Sequence, residues 1–535
     1  MIPEFSLPFG WSSNKWSLVL SNMFAGMILI VLSHTNVLPL DDINFLFFSF
    51  IGLLFALYRP GWTFLLLVGM LPYEIINIAP ENYSLTVRPY QWLLVLITIS
   101  LVTRFALKRF PVEKFVPNVW DVSVIIFGLS AFLSAFMSDH RATALKLSVI
   151  LFSFVVLYFV TRIFVRSLDD MAILVPFLLS SFLIVVSYAI LQNIFFLNGK
   201  ESFEVMAGRP NATFPEADWL GGYLAVVLVV TSALIASKKN ISNIFRYIFS
   251  VFLFLGYIAL LLTVSRSAWL ATFFGIMSIL FLYAWQHGVW RALLDRNRII
   301  ILDMLWLKLF IVIPFFLAFF VVYFSSLSPF DLLDRSKSTA TGDQKITIAC
   351  EKVVVLPQKI TDLNELATFG CEHIRLEEKE SQKSSGKYVA EIFRNDPNVH
   401  IRADIYTKVI DAIKNNFLFG IGFGNISLFL GTDERGTGLN ASNIFLEVWL
   451  GTGFIGSIAF LFFWFGLGIK WFREGIKEHS FLAVMFVSLF VTLTVFNLFN
   501  SGLFLGFFFF CMALFLSNYP ISHRFIDEEK EKLVS

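Results

Sequence analysis

Long apolar runs separated by short polar segments dominate the hydrophobic pattern of this chain. A helix needs roughly 20 apolar residues to cross a bilayer. By that criterion the pattern predicts an all-α polytopic membrane protein with about twelve to fourteen transmembrane helices, the lower count allowing for closely spaced segments. The predicted spans lie near 16–33, 43–58, 61–79, 89–106, 119–138, 144–163, 171–195, 219–237, 244–264, 267–286, 301–325, 443–469, 480–498 and 501–518.

The polar segments predict the orientation of these helices. Basic residues collect in alternate loops, and Lys and Arg are enriched on the cytoplasmic side of membrane proteins. This pattern predicts that both termini are cytoplasmic, and that the first span directs the chain to the membrane. The basic residues are Lys108, Arg109, Lys114, Arg162, Arg166, Lys238, Lys239, Arg246, Arg291, Arg296, Arg298, Lys470, Arg473 and Lys477.

Four regions follow from the spans. A long polar segment at 326–442 divides the apolar chain and is predicted to lie outside the cytoplasm. The regions are an N-terminal transmembrane bundle at 1–325, a large loop at 326–442, C-terminal transmembrane helices at 443–518 and a cytoplasmic tail at 519–535.

The large loop has two predicted parts. Residues 334–397 are rich in Ser, Lys and Glu, contain two β-like runs at Lys345–Ala349 and Lys352–Leu356, and are predicted to form a small soluble insertion. Residues 402–417 have helical periodicity. Their apolar face predicts a surface helix that lies on the membrane. That face consists of Tyr406, Val409, Ile410, Ile413 and Phe417.

Composition supports the membrane class and excludes others. The chain is 57% hydrophobic and 15% charged, and its net charge of +2 implies no attraction to nucleic acid. The three cysteines are too few for a disulfide scaffold. Cys350 and Cys371 fall in the insertion on the oxidising side, so they are either disulfide-bonded or two free thiols. Cys511 falls in a span and is predicted to pack there, and no His/Cys cluster has metal-ligand spacing.

Three arginines are the main candidates for chemistry. Arg209, Arg266 and Arg402 are predicted to face the same side of the membrane. A guanidinium stays charged and presents a fork of donors matched to phosphate oxygens. Together they would bind a diphosphate. The alternative is that each contacts lipid headgroups or pairs with a nearby carboxylate.

The motifs around these arginines resemble the O-antigen ligase and polymerase family of bacterial envelope enzymes, the Wzy/WaaL-type integral membrane glycosyltransferases. The order and spacing of short motifs over roughly 205–465 carry the resemblance. These motifs are Ala207–Phe214, Ser265–Ser267, Arg402, the glycine-rich run Gly420–Asn425 with Gly422 and Gly424, Ser442–Glu447 and Gly451–Gly456. The glycine-rich run is not a dinucleotide fingerprint because no strand–turn–helix unit surrounds it, and its glycines favour a tight turn.

The resemblance implies transfer of a glycan from an undecaprenyl-diphosphate donor to a sugar hydroxyl on the periplasmic face of the bacterial inner membrane. It implies no nucleotide sugar, cofactor or metal. The acceptor would be the lipid A core in a ligase or another lipid-linked repeat unit in a polymerase. Arg209 and Arg266 would bind the diphosphate, and Arg402 would order the site or bind the second phosphate. Membrane lipids surround such an enzyme, and chain-length or flippase proteins are its expected partners.

One departure from the family pattern concerns the general base. In the motif that corresponds to Ser442–Glu447, the family's ligases have His before the Asn. In this chain Ser442 precedes Asn443. Serine does not act as a base at neutral pH, which favours a polymerase or another transferase. The remaining candidates for the base are His400, Glu447, Glu434 and Asp433. Glu447 lies four residues after Asn443 on the same helical face, and its alternative roles are to cap the helix or to pair with Arg266.

Two other classes of function stay open at this point. A transporter or flippase for a lipid-linked substrate is expected to show charges or broken helices near mid-membrane in paired halves. In this chain the distinctive residues collect on one face instead, which favours an interfacial enzyme. A non-catalytic component of an envelope assembly complex, with the long loop as its docking surface, is the third hypothesis.

Overall fold

The computed structural model describes most of the chain, and helices form nearly all of it. The described residues are 13–35, 37–83, 86–108, 117–237, 243–288, 298–330, 332, 343–361, 363–374, 378–395, 397–432, 438–477 and 480–517. The predicted tail at 519–535 lies outside them. The N-terminal helices are α1 (Ser13–His34), α2 (Asp42–Tyr58), α3 (Pro60–Met70), α4 (Pro89–Ala106), α5 (Val119–Met137), α6 (Arg141–Phe164), α7 (Leu168–Leu197), α8 (Ala217–Ala236), α9 (Asn243–Leu262), α10 (Arg266–Gln286) and α11 (Arg298–Phe324).

The second part of the chain contains a small sheet and the C-terminal helices. The strands are β1 (Asp343–Cys350), β2 (Lys359–Ile360), β3 (Cys371–His373) and β4 (Tyr388–Asn395). The helices are α12 (Glu365–Thr368), α13 (Lys379–Ser384), α14 (Pro397–Asn415), α15 (Ile426–Leu430), α16 (Ile444–Lys477), α17 (Phe481–Phe499) and α18 (Gly506–Leu514).

The predicted all-α membrane class is confirmed, with a smaller number of full-length spans than expected. Among the described residues, ten helices are long and apolar enough to cross a membrane. The described apolar parts of α2, α3 and α11 are shorter, and the predicted span at 501–518 contains only the nine-residue α18 after a 3₁₀ turn. Hydropathy alone missed these breaks because apolar residues continue through irregular backbone.

Close packing of small residues joins the centre of the bundle. α8 is the most enclosed span, with 83% of its apolar window buried. A Cβ on Gly222 would lie 2.5 Å from the Phe496 ring of α17, and one on Gly275 of α10 would lie 2.1 Å from Thr492 Oγ1 of α17. Without a side chain these glycines let the helix backbones approach closely. α8, α10 and α17 therefore form a tightly packed centre.

The irregular backbone beside α18 is satisfied by a buried ion pair. Glu74 follows α3 and is 1% exposed, and its Oε2 lies 2.9 Å from Arg88 Nε at the start of α4. Tyr90 Oη donates to the same carboxylate at 3.1 Å, and the Gly506 amide donates to Oε1 at 2.8 Å. Irregular backbone within a membrane protein needs such internal partners because lipid supplies none.

The predicted insertion contains a four-stranded sheet in the order β2–β4–β1–β3. The core of the sheet is apolar and includes Ile346, Ile348 and Ile392. β1 pairs antiparallel with both β4 and β3, and the register places Cys350 opposite Cys371, where the two form a disulfide.

The second predicted β-like run, Lys352–Leu356, is wrong because it joins no strand. Val353 and Val355 are 80% and 94% exposed. The long partner of β1 is instead β4, in which Tyr388 pairs with Cys350 although it lies 38 residues further along the chain. Single-sequence alternation does not show such a distant pairing.

The predicted amphipathic helix exists as α14, displaced toward the N-terminus from the predicted 402–417. Its buried face consists of Ile405, Val409 and Ala412, which join the main core of the protein. Ile410 belongs to the predicted apolar face, but it is 46% exposed. The helix therefore packs on the protein through a stripe displaced from the predicted one.

Candidate functional site

A cavity of about 1080 Å³ lies between α8, α9, α10, α11, α14 and the end of α17. Most of its wall is apolar and comes from α9, α10 and α11. This wall includes Tyr257, Leu260, Leu261, Trp269, Leu270, Phe273, Ile276, Met277, Ile311, Val312, Phe315, Phe316 and Phe319. The polar lining residues come from the start of α10 and from elements beside the apolar wall, and they include Arg209, Asp218, Arg266, Ser267, Arg402 and Asn500.

A tight turn between α9 and α10 places Arg266 and Ser267 at the cavity. Val264 in this turn has a left-handed φ of 53°, and α10 begins two residues later at Arg266. The Trp269 indole donates to the Leu260 carbonyl at 3.0 Å and joins the first turn of α10 to the end of α9. The rigid turn fixes the position of the Arg266 backbone.

Arg209 is held from two sides. Its Nε donates to the Thr263 carbonyl at 2.9 Å, and its Nη2 lies 3.1 Å from Asp218 Oδ1 in the first turn of α8. Its loop is tied to α7, because the Ala212 amide donates to Gln192 Oε1 at 2.7 Å. Arg209 thus connects its own loop to both α8 and the α9–α10 turn.

Arg402 and Asn500 complete the polar part of the cavity. Arg402 Nη2 donates to the Phe499 carbonyl at 3.3 Å, and its guanidinium lies 5.8 Å from the centre of the Phe499 ring. Asn500 Nδ2 donates to Ser267 Oγ at 2.7 Å. These contacts join α14 and the end of α17 to the start of α10.

The electrostatics of the cavity favour an anionic ligand. Three arginines and one aspartate are the charged residues of the described lining, which gives an excess of two positive charges. Arg402 also lies within electrostatic range of the Asp218 carboxylate. Guanidinium groups match phosphate oxygens, and the adjoining apolar wall matches a hydrocarbon chain. The structure therefore brings together the three arginines that the sequence singled out, beside an apolar groove.

The Ser442–Glu447 motif forms the start of α16. Asn443 Oδ1 accepts hydrogen bonds from the amides of Phe445 and Leu446 at 2.9 and 3.3 Å, so it caps the start of α16. Glu447 is 6% exposed and accepts a hydrogen bond from the Ala441 amide at 3.3 Å.

The cavity lining does not include Ser442, Asn443 or Glu447, all of which belong to the described part of the chain. Ser442 has a φ of 50° and donates its amide to Asn440 Oδ1 at 2.8 Å. His400 lies in α14 with its side chain outside the described set, and Asp433 and Glu434 lie outside the described residues.

The glycine-rich run packs between two helices. Gly422 has a φ of +80°, and a Cβ on Gly424 would lie 2.3 Å from the Thr143 carbonyl oxygen of α6. The Ile421 amide donates to the Leu450 carbonyl of α16 at 2.7 Å. Three residues later α16 is interrupted at Gly453, whose φ is 65°. The glycines permit the close approach of this run to α6 and α16.

Sequence reasoning missed Asp218 and Asn500. Asp218 is an acid at the start of an otherwise apolar helix, nine residues after Arg209, and that position was a usable signal. Asn500 occupies a short polar break between two apolar runs. Neither belongs to a quoted motif, and only the packing of distant helices brings them to the cavity.

The fold and this cavity define a multi-pass membrane protein with a positively charged cavity beside an apolar groove. Residues 248–461 match the family model described as O-antigen ligase. Over these residues the chain is similar to the O-antigen ligase family, whose members are ligase- and polymerase-type membrane enzymes of surface polysaccharide assembly that act on lipid-linked glycans. Arg266 and Arg402 fall within the match, and Arg209 and Asp218 precede it. No curated protein and no solved structure matches the chain.

Proposed function

We propose that the cavity binds an undecaprenyl-diphosphate-linked glycan and that the protein transfers this glycan to a sugar hydroxyl on the periplasmic face. The observation that carries the proposal is the meeting of Arg209, Arg266 and Arg402 beside the apolar wall of α9, α10 and α11. The diphosphate lies among the guanidinium groups, and the polyprenyl chain follows the wall toward the lipid.

The arginines have a direct role in this reaction. The acceptor hydroxyl attacks the anomeric carbon of the donor, and the bond between that carbon and the diphosphate oxygen breaks. Negative charge grows on the leaving diphosphate, and guanidinium groups that are already in position stabilise it. Arg209, Arg266 and Arg402 line the same cavity and supply this stabilisation together.

A polymerase fits the chain better than a lipid A core ligase. Ser442 stands where the family's ligases have His, and it does not line the cavity. We therefore infer that the acceptor is a second lipid-linked glycan rather than the lipid A core. The basic loops support cytoplasmic termini, and in that proposed orientation the polar end of the cavity faces the periplasm.

The test uses a strain in which this gene is deleted. The strain is restored with wild type, Arg266→Ala, Arg402→Ala or the matched control Arg166→Ala, an exposed arginine that bonds to the nearby Ile163 carbonyl. Membrane levels are matched and surface glycans are separated on a gel. Loss of long chains with single repeats still attached in the first two variants supports the polymerase, and Arg166→Ala is expected to restore the full ladder.

Other outcomes separate the alternatives. Loss of all attached glycan with accumulation of lipid-linked chains would mean a ligase. A wild-type ladder from both Arg266→Ala and Arg402→Ala would refute diphosphate binding in the cavity. In that case a flippase or a non-catalytic assembly component becomes the better interpretation, and accumulation of donor on the cytoplasmic face would identify the flippase.

A further inference from the structure

We infer that Asp218 is the group that accepts the proton of the acceptor hydroxyl. The inference rests on the proposed function and names a catalytic residue for it. Asp218 is the acid among the described residues that line the cavity, and its side chain is 32% exposed. It therefore meets the contents of the cavity, unlike the buried Glu447.

The contacts of Asp218 orient it for this role. Its Oδ1 lies 3.1 Å from Arg209 Nη2, and Arg209 is itself fixed by the Thr263 carbonyl. In acid–base sites the base is usually oriented by a second group, and a further contact fixes that second group. Asp218 lies in the first turn of α8, the most enclosed span, so its backbone is rigid.

The proton balance of the reaction suits a carboxylate. The bond from the acceptor oxygen to the anomeric carbon forms as the bond to the diphosphate breaks, and the electron pair leaves with the diphosphate. The acceptor hydroxyl becomes strongly acidic as its oxygen gains this bond, so a weak base removes its proton. Inverting glycosidases use a carboxylate in the same way to activate a water. The proton moves to Asp218 and then to water at the cavity.

Glu447 and Ser442 fit this role less well. The Glu447 carboxylate accepts from the Ala441 amide and is 6% exposed. Ser442 lies at the cap of α16 and outside the cavity lining. A group that removes the proton must come within hydrogen-bond reach of the hydroxyl.

The experiment separates proton transfer from donor binding. The experiment compares five variants with wild type. Four are Asp218→Asn, Asp218→Glu, Arg209→Ala and Arg266→Ala, and the control is Asp169→Asn, which changes an exposed acid at the start of α7. Binding is measured with purified protein and undecaprenyl diphosphate as the probe. Turnover is measured as the rate of chain growth in membranes of the deletion strain that contain lipid-linked repeat units.

We expect Asp218→Asn to bind undecaprenyl diphosphate within about threefold of wild type and to lose about 10²–10⁴-fold in turnover, the usual contribution of a general base. Asp218→Glu restores part of the rate. Wild-type turnover falls toward acidic pH, and the residual rate of Asp218→Asn lacks that acidic limb. Among the described residues, the charged groups that line the cavity with Asp218 are Arg209, Arg266 and Arg402, and an arginine stays protonated throughout this range.

Three results would overturn the inference. Near-wild-type turnover of Asp218→Asn removes Asp218 as the base while leaving the proposed function intact. Equal loss of binding in Asp218→Asn and Arg209→Ala means that Asp218 only positions Arg209. Unchanged binding by Arg266→Ala means instead that the proposed donor site itself is wrong, which is a separate failure.

Discussion

The amide of Gly506 lies 2.8 Å from the carboxylate of Glu74, although 432 residues separate them. This hydrogen bond joins the start of α18 to the segment before α4. Arg88, paired with Glu74 at 2.9 Å, also donates to the Phe504 carbonyl at 3.4 Å. The turn that contains Phe504 begins at Gly502, two residues after the cavity-lining Asn500, so the buried pair anchors the chain close to the cavity.

Removing the Glu74 carboxylate is expected to destabilise the protein strongly. Glu74→Ala leaves Arg88 and the Gly506 amide without their buried partner, which costs about 3–5 kcal/mol. Unfolding of the purified protein in detergent measures this loss. The control is Glu372→Ala, whose carboxylate pairs with Lys387 at 56% exposure and whose loss costs about 0–1 kcal/mol. Equal effects of the two substitutions would contradict a structural role for the Glu74 pair.

The kink of α16 is expected to depend on Gly453. A Cβ there would lie 2.1 Å from the Leu418 carbonyl oxygen, in addition to the positive φ of 65°. The matched control is Gly386→Ala. Gly386 has a φ of +84°, but an added Cβ there would meet open space, so this substitution costs only the strain of a left-handed backbone, about 1–2 kcal/mol. Gly453→Ala should lower the yield and the Tm of folded protein far more than Gly386→Ala. Similar yields from both would show that the backbone of Leu418 and Phe419 has room to move.

The pairing of the cysteines is expected to be visible by thiol labelling. The chain has three cysteines, of which Cys350 and Cys371 are bonded and Cys511 is free and buried. In denaturant without reductant, only Cys511 should react with a maleimide reagent, and Cys511→Ser should abolish labelling. Closing a loop of 21 residues stabilises the insertion by about 2–4 kcal/mol. Labelling of all three cysteines without reductant would disprove the bond.

The sheet insertion is expected to lose stability in acid through Glu391. Hydrogen bonds from Lys345 and then Lys379 lower the pKa of this carboxyl below its ordinary value of 4.5. A carboxyl with a lower pKa in the folded than in the unfolded state stabilises the sheet at pH values above its unfolded-state pKa. This stability is lost as the pH falls through the folded-state pKa. Because Glu391 is 39% exposed, the effect is small, on the order of 0.2–1 kcal/mol per pair.

Amide hydrogen exchange of β1 and β4, corrected for intrinsic rates, measures the effect of Glu391. As the pH falls through 4.5 and below, protection in the wild type should fall more steeply than in Glu391→Gln, which has no charge to lose. Identical pH dependence in the two proteins would show that the lysine pairs do not contribute.

The sequence by itself determined the class of the protein and the outline of its site. Apolar runs of about 20 residues specify membrane helices because an unpaired backbone is costly in lipid, and this local rule needs no tertiary information. The arginines stood out for the same reason, since a charge in or beside an apolar run needs a partner or a function. The short motifs around them were enough to indicate the O-antigen ligase family.

Tertiary structure alone decided what surrounds those arginines. Asp218 and Asn500 reach the cavity because α8, α10 and α17 pack closely through small residues. Glu447 was placed with the chemistry by its helical spacing, yet packing buries it against the Ala441 amide. Spacing along a helix fixes which residues share a face, but the neighbouring helices decide whether that face meets a cavity or a core.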